Sequence, residues 1–434
     1  MPVQKRLLSI LLSLLWLAAC GEAPQENGEA RQAEDAGTTE RLLQAGAWRG
    51  EIEIQGEKLP FQMEVAYPAK RREPRVEFIN GEERVPVEEV HVGKDQVALV
   101  LPAFNTRMDL RFKDRKLSGI LTKINEGAIE QKMPVTLTPG ENYRFFEMHE
   151  PPKMNVSGRW RVMFHEPDGA NYPAVGEFEQ RGSEVTGTFL TPTSDYRYLS
   201  GAVRGNRLYL SAWDGFHVFL FEAEIQEDGG LSGDFWSGPS WHETWDARRD
   251  PEAELPDMDK QTYLRPGVKR FDFTFPNQQG EKVSLSDPRF ENKVVIVQLA
   301  GSWCPNCADE TRFLAPWFRE NRDRGVEVVA LMFEHFGDFD KAAEQVRIWR
   351  RTYDVEYPTL IAGTSDKQEA SAQLPQLNAF LAFPTTIFIA PDGRVARIQT
   401  GFNGPATDRY QAEIEKFNAT VDALLAERKQ EDRN

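Results

Sequence analysis

Two cysteines separated by two residues are the residues of this sequence best suited to chemistry. Cys304 and Cys307 lie in AGSWCPNCADE, residues 300–310, and the 434-residue chain contains only three cysteines. A C-x-x-C pair can be a redox-active dithiol, half of a metal site, or two buried thiols. The loop between the two cysteines is too short to restrict an unfolded chain much, so the pair is a poor stabilising crosslink. The spacing therefore favours redox chemistry.

The elements around the pair should place it at the start of a helix. The apolar run VVIVQL, residues 294–299, predicts a buried strand that ends just before Cys304. Backbone N–H groups and the dipole at a helix N-terminus stabilise an anion, so they favour the Cys304 thiolate. Pro305 is tolerated at an early helical position. We expect Cys304 to attack a disulfide and Cys307, three positions on, to resolve the mixed disulfide.

Strand and helix patterns alternate through the C-terminal part of the chain, which predicts an α/β domain over residues 268–430. Further strands are expected at residues 326–332 and 385–390, and helical spacing begins at Phe339 and at Tyr410.

With these elements, Trp303-Cys304-Pro305-Asn306-Cys307 resembles the active site of the thioredoxin superfamily. The surroundings resemble the TlpA/ResA-like, AhpC/TSA-related extracytoplasmic thiol-disulfide oxidoreductases, through FDFTFPNQQGEKVSLSD (271–287) and FPTTIFIAPDGRVARIQTG (383–401). The resemblance covers roughly residues 268–428 and leaves the rest of the chain out.

The resemblance implies a role for seven residues and no cofactor or metal. It makes Cys304 the exposed nucleophile, Cys307 the buried resolving thiol and Pro384 a cis-proline facing them. It implies a protein disulfide substrate and an electron-donor thiol protein as partners. The other implied site residues are Glu310, a carboxylate that tunes the resolving thiol or merely complements the helix dipole, and Trp303, Phe383 and Thr385, which shape the substrate groove.

Two departures from the family pattern leave the direction of electron flow open. Arg312 stands where many relatives carry a proline, with Pro316 further along, and Asn306 lies in the dipeptide that helps to set the potential. A peroxidase is disfavoured because the T-x-x-C setting of a peroxidatic cysteine is missing: Gly301 lies three residues before Cys304. Between a reductase and an oxidase, we favour the reductase.

Metal binding is a weaker interpretation of the same pair. Zinc would need two further ligands, and the sequence has no second cysteine pair or close His pair. A copper chaperone of thioredoxin fold would use His335 as a third ligand, but that class usually has three residues between its cysteines.

The N-terminal half has the short alternating strands of an all-β region, with two units at residues 41–140 and 155–248. Gly46-Ala47-Trp48-Arg49 matches Gly158-Arg159-Trp160-Arg161, and Leu117-Ser118-Gly119 matches Leu231-Ser232-Gly233. The fold prediction is therefore a multidomain chain: two tandem lipocalin-like or sandwich β units, a linker at 249–267, and an α/β thioredoxin-like domain. Large aromatic residues crowd the second unit and are interpreted as its core, or alternatively as a ligand pocket.

The N-terminus is typical of an export signal. A basic start and an apolar run end in LAAC at Cys20, which resembles the lipobox of bacterial lipoproteins. We expect a signal peptide over 1–20, lipidation of Cys20, and a flexible tether over 21–40. This predicts a lipid-anchored protein on the periplasmic side of the cell envelope, and Gly21 favours the outer membrane over the inner. The net charge of −16 argues against a nucleic-acid partner.

The sequence therefore predicts a membrane-anchored extracytoplasmic thiol-disulfide oxidoreductase that reduces protein disulfides. The alternative is a ligand- or partner-binding envelope lipoprotein in which the thioredoxin-like domain is accessory. That alternative depends on the β-rich half, which thiol exchange alone does not require.

Overall fold

The computed structural model describes residues 42–69, 73–148 and 150–431. The predicted signal peptide, the tether and the lipidation site Cys20 lie outside the described residues. Within those ranges, no helix combines the length and the apolar character that crossing a membrane requires.

The first β unit is a nine-stranded antiparallel sheet. Inward-facing Ile52 and Ile54 alternate with the exposed Glu53 in its first strand, as period-two patterning requires. The first strand pairs with both the second and the ninth, and the order is β4-β3-β2-β1-β9-β8-β7-β6-β5. The strands are β1 (Gly46–Ile54), β2 (Glu57–Ala66), β3 (Arg75–Asn80), β4 (Glu83–Pro86), β5 (Glu89–Val92), β6 (Gln96–Leu101), β7 (Thr106–Lys113), β8 (Lys116–Asn125) and β9 (Ile129–Pro139).

The second β unit is a closed barrel of eight strands in sequence order, in which the last strand pairs with the first. Closure removes the free edges that an open sheet would expose. The strands are β10 (Gly158–His165), β11 (Asn171–Arg181), β12 (Glu184–Leu190), β13 (Leu199–Arg204), β14 (Arg207–Trp213), β15 (Val218–Ile225), β16 (Leu231–Ser237) and β17 (Trp241–Arg249).

The repeated landmarks occupy equivalent places in the two units. Trp48 donates from its indole N–H to the Gln44 carbonyl at 2.9 Å, and Trp160 donates to the Val156 carbonyl at 2.8 Å. Both tryptophans lie in the first strand of their unit. The units nevertheless differ, because the first sheet stays open between β4 and β5 while the second closes.

Part of the aromatic set of the second unit forms its core, which confirms the interpretation favoured from the sequence for Phe219, Phe221, Phe235 and Trp245 but not for Trp241, which is 40% exposed. Phe221 and Phe235 stack with ring centroids 4.1 Å apart, and Trp245 is buried beside them. Trp213 and Phe216 instead belong to the core of the first unit. The two β units therefore pack as one body.

The C-terminal part is the predicted thioredoxin-like α/β fold. Its five-stranded sheet has the order β22-β21-β20-β23-β24, with β20–β22 parallel and the last two strands antiparallel. Apolar clusters cover both faces of the sheet. The elements are β18 (Thr274–Pro276), β19 (Lys282–Ser284), β20 (Val294–Ala300), α1 (Pro305–Asn321), β21 (Val326–Glu334), α2 (Phe339–Thr352), β22 (Thr359–Thr364), α3 (Lys367–Gln373), β23 (Thr385–Ile389), β24 (Val395–Thr400) and α4 (Tyr410–Glu431).

The segment predicted as a linker packs against the thioredoxin-like domain. The Thr262 N–H donates to the Thr400 hydroxyl oxygen at 3.0 Å, and Asp259 pairs with Arg397 at 2.9 Å.

Candidate active site

The dithiol motif lies where the central strand of the sheet passes into a helix. All seven residues of β20 are buried between β21 and β23, and α1 begins at Pro305. The backbone turns sharply in between: a Cβ at Gly301 would lie 2.2 Å from the Trp303 indole nitrogen and 2.8 Å from the Phe333 carbonyl oxygen. The strand end therefore places Cys304 at the helix N-terminus, as predicted.

Cys304 and Cys307 are joined as a disulfide, with their Cα atoms 5.2 Å apart. Cys304 caps the helix, because its Sγ accepts a hydrogen bond from the Cys307 backbone N–H at 3.1 Å. The same N–H and the helix dipole can stabilise a thiolate at Cys304 when the bond is reduced.

The segment around Pro384 faces the dithiol, as the family resemblance implies. The Phe383–Pro384 peptide bond is cis, and the Phe383 carbonyl oxygen lies 3.6 Å from the Cys304 Sγ. The rings of Trp303 and Phe383 meet edge to face at 5.2 Å. Thr385 is buried and donates its hydroxyl to the Ala382 carbonyl at 2.8 Å. The structure thus brings Trp303 and Phe383 together beside Cys304, whereas the Thr385 side chain bonds to Ala382.

Glu310 is buried in α1 behind the dithiol and is not a surface acid that only complements the helix dipole. Its carboxylate accepts hydrogen bonds from the Gln298 amide at 2.7 Å and from the Thr386 hydroxyl. Gln298 also donates to Thr311, whose hydroxyl bonds to the Cys307 carbonyl at 2.7 Å. Burial raises the pKa of Glu310 to about 7, although the two hydrogen bonds oppose the rise. Glu310 can therefore hold or release a proton near neutral pH.

A second buried carboxyl group, Glu334, supports the turn before the dithiol. It ends β21 and accepts bonds from the backbone N–H of Ser302 at 3.0 Å and from the Ser302 hydroxyl at 2.6 Å. Burial raises the pKa of Glu334 to about 7. The sequence reasoning did not identify this role, although a charged residue ending the apolar run VEVVALMF was a usable signal.

Aromatic stacking connects the dithiol to the β-rich half. His335 stacks on Trp303 with ring centroids 4.4 Å apart, and the Phe216 ring of the barrel contacts both, at 5.7 Å from His335 and 5.6 Å from Trp303. The buried Lys123 donates to the Phe216 carbonyl at 3.0 Å. Burial, assisted by the Lys123 charge, lowers the pKa of His335 to about 3, so its ring is neutral at pH 7.

One sequence expectation about the nucleophile is wrong. Cys304 was expected to be exposed, but only 4% of its surface is accessible. The physical reason is that Cys304 packs in the apolar cluster of its own domain beside Phe383, while the β-rich half lies over the neighbouring Asn306, whose side-chain amide donates to the Asp195 carbonyl of the barrel at 3.0 Å.

Asp309, the residue before Glu310 in α1, makes a second contact to the barrel that the sequence did not predict. It binds the Arg197 guanidinium with distances of 2.7 and 3.0 Å. No sequence signal joins residues 112 positions apart, but an acidic residue on the buried face of a helix requires a cation partner.

Within the described ranges, no three His, Cys, Asp or Glu side chains stand close enough together to hold a metal ion. His335, the candidate copper ligand, makes a 2.7 Å hydrogen bond to Ser365 through Nδ1.

The fold and the dithiol together define the C-terminal part as a thiol-disulfide oxidoreductase domain of the thioredoxin fold. Residues 266–398 match the AhpC/TSA family and form an AhpC/TSA domain. The β-rich half lies outside this match.

Similar proteins carry names of the same class. The thioredoxin-like protein YneN of Bacillus subtilis is 28% identical over 142 residues, which is 33% of this chain and 75% of that protein. The thiol-disulfide oxidoreductase ResA of Bacillus subtilis is 26% identical over 129 residues, 30% of this chain and 64% of that protein. A solved thioredoxin-family thiol:disulfide interchange protein from Chlorobium tepidum has 19% identity and a TM-score of 0.28, covering 36% of this chain and 96% of that one.

Proposed function

We propose that this protein reduces disulfide bonds in protein substrates outside the cytoplasm, anchored to a membrane through a lipid on Cys20. The observation that supports this most is the Cys304–Cys307 pair at the N-terminus of α1, facing the cis Phe383–Pro384 bond. The lipid anchor rests on the sequence pattern ending in LAAC at Cys20.

The proposed reaction transfers two electrons from the dithiol to a substrate disulfide. The Cys304 thiolate attacks one substrate sulfur, so that a mixed disulfide forms and the other substrate sulfur leaves as a thiolate. Cys307 then loses its proton and attacks the Cys304 sulfur, which releases the second substrate thiolate and leaves the Cys304–Cys307 disulfide. An electron-donor dithiol protein restores the reduced pair by the same exchange.

Glu310 is the proposed proton acceptor on the Cys307 side of the reaction. Its pKa of about 7 lets it take up a proton at neutral pH, and the Gln298–Thr311 hydrogen bonds connect it to the Cys307 backbone. We infer a positioning and proton-holding role, which acts on the resolving step and not on the first attack.

The electrostatics near Cys304 favour the reductive direction. Strong oxidants of this fold stabilise the thiolate of the reduced state, which makes the disulfide easy to reduce. Here the imidazole of His335, which stacks on Trp303, is neutral and adds no positive charge to the site. We therefore expect a potential toward the reducing end of the range.

Trapping of the intermediate tests the assignment of the two cysteines. Reduced Cys307→Ser should accumulate a mixed disulfide with a disulfide-bonded protein such as insulin, because the resolving thiol is gone. The matched Cys304→Ser variant should form none, and neither variant should catalyse insulin reduction by dithiothreitol. Equal trapping by the two variants would refute the assignment of Cys304 as the nucleophile.

A further inference from the structure

The β-rich half covers the dithiol that a substrate must reach. Cys304 is 4% exposed and Asn306, between the two cysteines, is 7% exposed. A disulfide exchange requires the attacking thiolate to approach a substrate sulfur in line, so a covered sulfur cannot react with a protein. Whatever covers Cys304 therefore controls the reaction.

The barrel loop of residues 191–198, which connects β12 and β13, contacts the residue between the two cysteines. Its Asp195 carbonyl accepts the 3.0 Å bond from Asn306, and its Asp195 carboxylate accepts a 2.8 Å bond from the Gly404 N–H. The loop lies so close to the thioredoxin-like domain that a Cβ at Gly401 would be 2.0 Å from the Thr193 carbonyl oxygen. The loop is thus attached on both sides of the dithiol motif.

Arg197 holds the same loop to α1 and to both β units. Its guanidinium binds Asp309 of α1, Asp214 of the barrel at 2.6 Å and Glu83 of the first sheet at 2.5 Å. All four side chains are almost completely buried. Opening the loop would break the buried Arg197–Asp309 pair, which costs free energy even though Arg197 keeps Asp214 and Glu83, and Asp309 keeps Arg312.

We propose that the loop of residues 191–198 determines which disulfides reach Cys304, with Asp195 and Arg197 as the residues that set this selectivity. The inference rests on the proposed function and extends it to a role for the β-rich half. A substrate reacts only when the loop separates from Asn306 and α1. Protein disulfides need a wider opening than small disulfides, so the loop discriminates against proteins that do not displace it.

The rate of thiol exchange by the chain from residue 21 onward tests this inference. Reduced wild type and Asp195→Ala are mixed with a small aromatic disulfide, 5,5′-dithiobis(2-nitrobenzoate), and with insulin, and single-turnover rates are recorded through Trp303 fluorescence. Loss of the buried, charge-assisted bond to Gly404 should raise the insulin rate about tenfold. The rate with the small disulfide should rise by a smaller factor than the rate with insulin.

Asp168→Ala is the matched control. Asp168 accepts the same local hydrogen bond as Asp195, at its Oδ1 from the backbone N–H two residues on: Ala170 donates to Asp168 at 2.9 Å, and Arg197 donates to Asp195 at 2.7 Å. It lies on an exposed barrel turn, and its rates should remain within about twofold of wild type, since one exposed hydrogen bond contributes little. Equal insulin rates for the two alanine variants would overturn the inference.

The outcomes separate failure of the loop inference from failure of the proposed function. If wild type and Asp195→Ala never pass reversibly between dithiol and disulfide in thiol buffers, both the proposed function and the inference fail. If both pass reversibly but react with insulin at equal rates, only the loop inference fails. Arg197→Met provides a second variant when its circular dichroism matches wild type. Its rate with insulin should rise at least as much as that of Asp195→Ala.

Discussion

Replacing Glu310 by Gln should remove a pH-dependent cost from the folded state. Glutamine has the shape of the protonated acid: its oxygen can accept from Gln298 and its NH₂ group can donate to the Thr386 hydroxyl, which reverses direction. The variant therefore keeps the local packing and loses only the ability to ionise.

The magnitude follows from the two pKa values of the same group. Burial raises the pKa of Glu310 from 4.5 to about 7. The folded state thus holds a proton that the unfolded chain releases between those values, and stability falls as the pH rises through that window. The raised pKa of Glu310 therefore lowers the free energy of unfolding by about 3 kcal/mol above pH 7 and by almost nothing below pH 4.5.

Urea unfolding of the oxidised full chain at pH 5 and pH 8 is the assay. Between pH 5 and pH 8, the free energy of unfolding of Glu310→Gln should rise relative to wild type by slightly less than about 3 kcal/mol, because part of the wild-type cost is already present at pH 5. Glu320→Gln, on the exposed face of the same helix, is the control and should show no such gain. The same pH response for wild type and Glu310→Gln would refute a buried, protonated Glu310.

Three further changes test other parts of the structure. Ser302→Ala should lower the unfolding free energy by about 2 kcal/mol at pH 8 and by less at pH 5, because the ionised Glu334 loses a donor; urea titration checks this. Wild type should become more stable between pH 8 and pH 10, because burial lowers the pKa of folded Lys123 to about 8 and the unfolded chain binds the extra proton. Lys123→Met should not show this rise, and urea titration at alkaline pH measures it. Gly233→Ala should destabilise by more than about 2 kcal/mol, because its Cβ would lie 1.8 Å from the Glu222 carbonyl oxygen, and a lower melting temperature in calorimetry would report it.

Sequence reasoning predicted the parts of the site that depend on local pattern. The apolar run of β20 and the C-x-x-C spacing each carry their information within a few residues, and the role of Pro384 was implied by the family resemblance. Gln298 could also have been noticed, since a polar residue within a fully buried strand requires a hydrogen-bond partner, and here that partner is Glu310.

The contacts that cover the site could not be predicted in this way. Arg197 and Asp309 are 112 residues apart, and the loop that carries Arg197 has no pattern that identifies its partner. Closure of the second β unit likewise depends on β10 pairing with β17 and not on any local hairpin signal. The first unit has matching landmarks and remains open, so the landmarks identify where a unit begins and not how its edges pair.

The reduction potential of the Cys304–Cys307 pair tests the central claim most directly. The full soluble chain without residues 1–20 would be equilibrated in a series of thiol/disulfide buffers, with Trp303 fluorescence as the signal. We expect a reversible two-electron transition near the thioredoxin value of about −270 mV. A potential near about −120 mV would make the protein an oxidant and contradict the reductive direction, and failure to form the bond reversibly would contradict the redox function itself.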